Sequence, residues 1–329
     1  MTNTVQRNLD TGKYEGAIWF EGSPHIEETL YWMNLTVDTD LPIVGNASQR
    51  THGQLANDGD RNIVDSVNYI LSGKGRGLGV VGIQDQRIYA AREFKKADDR
   101  PGNYKATGGH GGILGTVKST ATVWYRPNYK HTSTSEVNLH RLPETVQFMD
   151  RFGDAAPKSL RIKNPDGTLR GEVIPRVPIV KYAAYSQEDE TENPDQEVDI
   201  FARINKALTE QSNADENKPK LHGFVLEGTA PYATASNSVA NALQIAALSG
   251  LPVVRVCRSD PGGRVETNER DLTIEGSNLD ANKARYVLMA SMLKLGRLPK
   301  AQDPRNPTAA EKKAVVERIT EFQAIFETH

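Results

Sequence analysis

The stretch Tyr14–Val37, YEGAIWFEGSPHIEETLYWMNLTV, decides the fold of this 329-residue chain. Its apolar run Ala17–Phe20 has the length of a strand, and Gly22 permits a tight turn after it. Apolar residues then recur at helical spacing, at Ile26, Leu30, Met33 and Val37. The sequence therefore predicts a buried strand, a turn and an amphipathic helix, the arrangement in which α/β enzymes place their chemistry.

Ser23 stands where this helix is expected to begin. A serine followed by proline is a good N-cap and first-turn pair, so Ser23 and Pro24 are interpreted first as a helix start. Glu27 and Glu28 add negative charge to the first turn, where the helix dipole favours it. Taken alone, Ser23 is therefore predicted to be a structural cap.

The composition indicates a globular protein with room for two domains. Hydrophobic residues make up 37% of the chain and charged residues 25%, with a net charge of −2. This balance provides no basic surface for nucleic acid or an anionic membrane, so the expected partners are small molecules and other copies of the chain. The lone Cys257 excludes an internal disulfide and favours a reducing compartment. Within the run VVRVC it is predicted to be a buried structural thiol.

The amino-terminal residues, MTNTVQRNLDTGK, are polar and carry no apolar signal core. No apolar run approaches the roughly 18 residues of a membrane span. The sequence thus predicts a cytoplasmic protein without a membrane partner.

A glycine-rich run, Gly73–Gly79, invites interpretation as a nucleotide-binding loop. A dinucleotide fingerprint follows a strand and opens a helix. This run follows a predicted helix and opens a strand at residues 78–83, so the nucleotide interpretation is declined.

The opening stretch resembles the strand-to-helix motif of the bacterial asparaginase/glutaminase family. The shared residues are Tyr14, Gly16, Gly22, Glu27, Glu28, Thr29, Leu35, Thr36 and Val37. Further segments resemble family motifs in the same order, at residues 56–63, 88–96, 129–132 and 274–285. On the basis of these motifs, the chain resembles that family.

The resemblance implies a two-domain α/β fold, with a flavodoxin-like N-terminal domain built on a parallel sheet and a smaller α/β C-terminal domain. The N-terminal domain is expected at 1–133 and a Pro/Gly-rich linker or insertion at 134–176. The C-terminal domain is expected at 177–329, where strands alternate with helices and imply parallel pairing. Its last helix extends beyond the usual family end and begins with the capping box Thr308–Glu311.

The resemblance also implies site residues. Lys96 falls on the family's catalytic lysine, and Ser23 keeps a hydroxyl at the position of its catalytic threonine, whereas Pro24 replaces its catalytic aspartate. The implied catalytic residues are therefore Ser23 and Lys96, although a lysine acts as a base near neutral pH only where burial lowers its pKa. The implied substrate-binding residues are Gly22, His25, Asp58 and Glu266; for Asp58 a purely structural cap is an open alternative. No metal or cofactor is implied.

The family's nucleophile lies in a TGGT segment, and no such segment precedes Tyr14. The resemblance therefore implies that the first family strand is missing from the N-terminal sheet. Because the family builds each site between subunits, a homo-oligomer, either a dimer or a tetramer, is expected. A second subunit could supply the missing strand, since an uncovered strand edge invites pairing.

Three functions stay open. The first is an asparaginase-like amidohydrolase acting on a small amide or imide, with little hydrolysis of asparagine or glutamine. The second is a catalytically silent homologue that serves as a binding or structural subunit. The third, a metal-dependent hydrolase, would use residues that lack tight ligand spacing, namely Glu21, His25, His52 and His110.

Overall fold

The computed structural model describes residues 1–98, 102, 104–107, 110–149, 152–154, 156–182, 200–212, 221–230, 232–258 and 272–329, with the backbone alone at 110, 201, 211 and 212. The chain forms two compact units, residues 1–141 together with His329, and residues 142–328. The domain limits expected from the sequence, with a linker at 134–176, stay a prediction.

The first unit contains three helices and eight strands among the described residues. The helices are α1 (Thr2–Leu9), α2 (Ile26–Thr36) and α3 (Gly59–Leu71). The strands are β1 (Ala17–Phe20), β2 (Ile43–Asn46), β3 (Val80–Gln84), β4 (Arg87–Ala90), β5 (Phe94–Lys96), β6 (Tyr104–Ala106), β7 (Ile113–Val117) and β8 (Ala121–Val123).

Six of these strands form one sheet in the order β1-β2-β3-β4-β7-β8. The first three are parallel, whereas β4, β7 and β8 each run antiparallel to the preceding strand. The parallel sheet expected from the sequence is therefore confirmed for β1 to β3, and the rest of the sheet is mixed. Strands β5 and β6 form a separate antiparallel hairpin.

Helix α2 packs closely on this sheet. Its residues Ile26, Leu30 and Met33 are fully buried, as their helical spacing predicts. The close approach requires Gly45 in β2, because a Cβ there would lie 2.3 Å from Leu30 Cδ2. The same apolar cluster includes Phe94 and Tyr104, so the β5–β6 hairpin lies on the face of the sheet that α2 covers.

Two details of the opening stretch differ from the prediction. Helix α2 begins at Ile26 with His25 as its N-cap, so Ser23 is not the cap. Ser23 and Pro24 instead lie inside a turn, in which the His25 amide donates to the Gly22 carbonyl. Strand β1 is also not a buried strand. It lies at the edge of the sheet, and Phe20 is 60% exposed. An apolar run alone does not reveal whether a strand will be central or at an edge.

Helix α3 packs on the opposite face of the sheet. The second apolar cluster contains its Tyr69 together with inward-facing residues of β2, β3, β4, β7 and β8. The glycine run Gly73–Gly79 lies between α3 and β3, so the chain order that argued against a nucleotide loop is confirmed.

The second unit is built on a parallel four-stranded sheet. Its strands, in the order β11-β12-β13-β14, are β11 (Ile179–Lys181), β12 (Phe224–Gly228), β13 (Val253–Cys257) and β14 (Ile274–Glu275). Its helices are α4 (Ile200–Ser212), α5 (Asn237–Leu248), α6 (Ala281–Leu295) and α7 (Ala309–Phe326). The predicted alternation of strand and helix and the parallel pairing are confirmed.

The second unit also contains a short hairpin and a capped terminal helix. A hairpin of β9 (Thr145–Phe148) and β10 (Lys158–Arg161) lies within the expected linker. The capping box of α7 at Thr308 and Glu311 is confirmed. Cys257 is half-buried rather than buried, because it is the last residue of β13. Among the described residues, no helix is both long enough and apolar enough to cross a bilayer.

Candidate active site

The loop that follows β1 carries Ser23. Because β1, β2 and β3 are parallel, their carboxyl ends meet at one edge of the sheet, where α/β folds bind ligands. Ser23 is half-buried there, between the end of β1 and the start of α2. Its flanking residues Gly22, Pro24 and His25 are exposed.

The β5–β6 hairpin brings two further polar groups to this loop. Lys96, at the end of β5, lies directly opposite Tyr104, at the start of β6. Directly opposed residues of an antiparallel pair project from the same face of the hairpin. Lys96 and Tyr104 therefore act from one side, the side that faces Ser23.

Ser23 and Lys96 are in direct contact. The Lys96 Nζ lies 2.9 Å from Ser23 Oγ and donates a hydrogen bond to it. The backbone N–H of Lys96 donates to Glu27 Oε2 at 2.5 Å. Glu27, in the first turn of α2, is buried, so the contact ties β5 to the helix that follows Ser23. The pairing of Ser23 and Lys96 thus rests on backbone as well as side-chain contacts.

Tyr104 is the second hairpin residue beside Ser23. Its ring stacks on Phe94, with centroids 4.6 Å apart and planes 7° from parallel, and the Tyr89 hydroxyl donates to its carbonyl oxygen at 3.1 Å. Its own hydroxyl oxygen is buried and makes no regular hydrogen bond within the described part of the chain. Burial raises the pKa of the Tyr104 phenol; the adjacent Ser23 side chain opposes this shift, and the charges of Glu27 and Asp58 add to it. The phenol therefore stays neutral across the physiological range.

Asp58 organises the loop after β2. Its carboxylate accepts hydrogen bonds from Ser48 Oγ at 2.9 Å and from the backbone amides of Gln49 and Arg50. Burial on its own would raise the pKa of Asp58, but these hydrogen bonds, first those from Gln49 and Arg50, outweigh it and leave the pKa lowered. Asp58 occupies the N-cap position of α3, but its side chain makes no capping hydrogen bond there, so its contacts hold the loop after β2 rather than the helix start. Its role in substrate binding stays a prediction.

A buried amide network joins the ends of β2 and β3. The Asn62 Nδ2 donates to the Ala47 carbonyl at 3.0 Å and to Gln84 Oε1 at 2.7 Å, and Gln84 Nε2 donates to the same carbonyl at 3.1 Å. All three residues are buried. The network fixes the carboxyl edge of the sheet next to the loop that Asp58 holds.

The other residues named from the sequence are more dispersed. Glu266 lies outside the described residues. His25 is exposed at the N-cap of α2, and His52 is exposed with Asp60 3.5 Å away. Among the side chains that the structure describes, which exclude that of His110, no three metal-ligating residues lie together. The described residues therefore offer no metal centre for the third hypothesis.

Tyr104 and the contact of Glu27 were not found from the sequence. The Pro-Gly pair at residues 101–102 is a turn signal between two short segments with strand-forming residues. A hairpin built on that turn would have placed Lys96 near Tyr104. Glu27 was recognised only as a first-turn acid, because its contact with Lys96 joins positions 69 residues apart.

A serine hydroxyl next to a lysine amine is a chemically competent pair. When the amine is uncharged it can accept the hydroxyl proton, and the resulting alkoxide is a nucleophile. When the amine is charged it donates to the same oxygen across the same 2.9 Å. The arrangement can therefore support acyl transfer from an amide to Ser23 and return a proton afterwards.

Comparisons with known proteins find asparaginases and glutaminase-asparaginases. The family model described as Asparaginase, N-terminal, matches residues 1–129. The glutaminase-asparaginase of Acinetobacter glutaminasificans is 32% identical over 143 residues, 43% of this chain and 40% of that protein. The L-asparaginase of Bacillus licheniformis is 34% identical over 96 residues, 29% of this chain and 30% of that protein. The match thus spans less than half the length of these curated relatives.

The fold similarity extends further than the sequence similarity. The crystal structure of a probable cytoplasmic L-asparaginase from Campylobacter jejuni superposes with a TM-score of 0.69, covering 100% of this chain and 82% of that one, at 18% identity. The two-domain asparaginase-like fold expected from the sequence is therefore confirmed. In its amino-terminal residues 1–129, the chain is similar to bacterial asparaginases and glutaminase-asparaginases.

Proposed function

We propose that the chain is an amidohydrolase that acts on a small amide or cyclic imide, with Ser23 as nucleophile and Lys96 as base. The observation that carries the proposal is the 2.9 Å contact of Ser23 Oγ with Lys96 Nζ in a domain of the asparaginase family. Its position at the carboxyl edge of β1 supports the proposal, because ligands bind at this edge in α/β folds.

The proposed reaction has two steps. In the first, uncharged Lys96 takes the proton of Ser23, and Oγ forms a bond to the carbonyl carbon of the amide. The carbon–nitrogen bond then breaks, and the Lys96 ammonium returns the proton to the departing nitrogen. In the second, Lys96 removes a proton from water, and the water oxygen forms a bond to the ester carbon. The bond from that carbon to Oγ then breaks, and the Lys96 ammonium returns the proton to Oγ, which releases the acid and restores Ser23.

Asparagine and glutamine are proposed to be poor substrates. At the position of the family's catalytic aspartate stands Pro24, which has neither a carboxylate nor a backbone N–H. Pro24 is also exposed, so it offers no buried polar contact to an amino-acid substrate. A substrate without an α-amino group fits this loop better.

The test is a panel of small amides and imides, with asparagine and glutamine included. We expect wild-type hydrolysis of at least one member, with loss of about a thousandfold or more in Ser23→Ala and Lys96→Met. Lys105→Met is the matched control, since Lys105 is an exposed lysine of the same hairpin. It lies opposite Lys95, whereas Lys96 lies opposite Tyr104. Equal activity in Ser23→Ala, Lys96→Met and wild type would overturn the proposal, as would efficient asparagine hydrolysis that survives Ser23→Ala.

A second candidate function is a binding or structural subunit without catalysis. The observation that favours it is the outer edge of β1, which pairs with no further strand among the described residues and where Phe20 is 60% exposed. An edge strand with unpaired backbone groups can pair with a strand from another chain. A protein inactive on the whole panel that forms a stable complex through this edge would support the second function over the first.

Assembly and location are proposed in the same way. A dimer or tetramer of this chain would cover the β1 edge, and a second kind of subunit that supplies a strand is the alternative partner. A cytoplasmic location is supported by the single cysteine and by the similarity to a probable cytoplasmic L-asparaginase.

A further inference from the structure

The hydroxyl of Tyr104 is an unusual feature of the first unit. The side chain is buried and its ring is fixed by stacking on Phe94. Its oxygen nevertheless has no regular hydrogen-bond partner in the part of the chain that the structure describes. Buried polar groups are nearly always paired, so an unpaired one calls for a specific explanation.

The surroundings of the hydroxyl supply that explanation. Lys96 is the direct cross-strand partner of Tyr104, and its amine contacts Ser23. The Ser23 side chain is also close enough to the phenol to influence the pKa of Tyr104. The phenol thus stands beside the same oxygen that Lys96 contacts.

We propose that Tyr104 is a positioning residue, whose hydroxyl donates a hydrogen bond to Ser23 Oγ and thereby turns the serine proton toward Lys96. This inference rests on the proposed function and names a third participant in its site. A serine oxygen has two lone pairs and one proton. When a phenol occupies one lone pair, the O–H of Ser23 is left to point along the 2.9 Å line to Lys96 Nζ.

The protonation of the phenol suits this role. Because burial and the nearby carboxylates raise the pKa of Tyr104, its proton is retained at every pH at which the enzyme would work. A retained proton makes the phenol a constant donor, whereas the charge of the serine–lysine pair changes during the reaction. Tyr104 itself neither forms a bond to the substrate nor changes its net protonation.

The test compares Tyr104→Phe with Tyr69→Phe. Tyr69 is a matched control, since its phenol is also buried and without a regular partner among the described residues. It belongs to α3 and packs in the other apolar cluster. Both substitutions keep the ring and remove one hydroxyl. Thermal unfolding followed by circular dichroism checks that both variants are folded.

Two measurements distinguish a positioning role of the Tyr104 hydroxyl from a purely structural one. The first is kcat and KM for the panel substrate that the wild type hydrolyses. The second is the rate at which a fluorophosphonate probe labels Ser23, a reaction that forms a phosphorus–oxygen bond, expels fluoride and requires an activated serine but no bound amide. We expect Tyr104→Phe to lower kcat and the labelling rate by about tenfold or more, with KM within about twofold of wild type and Tyr69→Phe unchanged.

The outcomes distinguish this inference from the proposed function. Wild-type protein that neither hydrolyses the panel nor is labelled at Ser23 would remove the proposed function and this inference together. An active, labelled wild type with unchanged rates in Tyr104→Phe would remove the inference alone. Equal losses in both phenylalanine variants, or a change confined to KM, would also overturn it.

Discussion

Ser23 Oγ and Lys96 Nζ lie 2.9 Å apart although 73 residues separate them along the chain. Ser23 is held by the turn between β1 and α2, and Lys96 by a two-stranded hairpin outside the main sheet. The geometry of the pair therefore depends on whatever fixes that hairpin to α2. Among the described residues, the hydrogen bond from the Lys96 amide to Glu27 ties the hairpin directly to α2.

We expect Glu27→Ala to weaken both folding and the site. Removing a buried carboxylate leaves the Lys96 N–H without its acceptor, which costs about 1.5 to 3 kcal/mol of the free energy of unfolding. Urea unfolding measures this loss. Glu27→Gln keeps an acceptor oxygen and should recover about half of it. Equal stability of wild type and Glu27→Ala would show that the contact contributes nothing.

The sequence predicted α2 well because its buried face is local. Ile26, Leu30 and Met33 repeat at helical spacing, and a repeat of that kind is visible without knowing any other element. The helix start was mistaken by two residues, from Ser23 to His25, since capping preferences are weaker than the constraints of the preceding turn.

The exposure of β1 and the position of Tyr104 could not be predicted from a local sequence pattern. An apolar run of strand length fits a central or an edge strand equally, and strand order is decided by long-range pairing. The position of Tyr104 depends on hairpin register, which one residue of slip would reverse. The resemblance located Lys96, but only the folded hairpin places it against Ser23.

Asp58 gives a prediction with a defined pH dependence. Its pKa in the folded chain is lowered from the ordinary 3.8, so its stabilising contribution is complete above about pH 4 and disappears as pH falls through the lowered folded value. Asp58→Asn is expected to lower the free energy of unfolding by about 1 kcal/mol at pH 7, since the group is partly exposed.

The measurement is the difference in unfolding free energy between wild type and Asp58→Asn at several pH values. The difference should be constant from pH 7 to about pH 5 and should shrink at lower pH. A difference that grows on acidification would contradict the lowered pKa.

Gly45 tests the close packing of α2 on β2. A Cβ at this position would lie 2.3 and 2.4 Å from the two methyl carbons of Leu30, which is fully buried. We expect Gly45→Ala to cost about 1 to 3 kcal/mol in urea unfolding. Gly22→Ala is the control, since its Cβ would meet only Pro24 Cδ, at 3.6 Å, and should change stability by less than about 0.5 kcal/mol.

A paired substitution separates crowding from backbone effects. Leu30→Val removes the end of the crowded side chain, so it should cost less in the Gly45→Ala background than in wild type. Strictly additive losses of unfolding free energy would mean that contact with the Leu30 methyl groups does not cause the destabilisation by Gly45→Ala.

The last prediction concerns the open edge of β1. Phe20 is 60% exposed at this edge, and a lysine there would place a charge where another strand would have to pair. We expect wild-type protein to self-associate at micromolar concentration, and Phe20→Lys to raise the dissociation constant about tenfold or more, which corresponds to about 1.4 kcal/mol. Tyr232→Lys is the control, because Tyr232 is 61% exposed but lies outside the described strands. Sedimentation equilibrium measures all three proteins. A monomeric wild type, or an equal shift in both lysine variants, would mean that the β1 edge is not where copies of this chain meet.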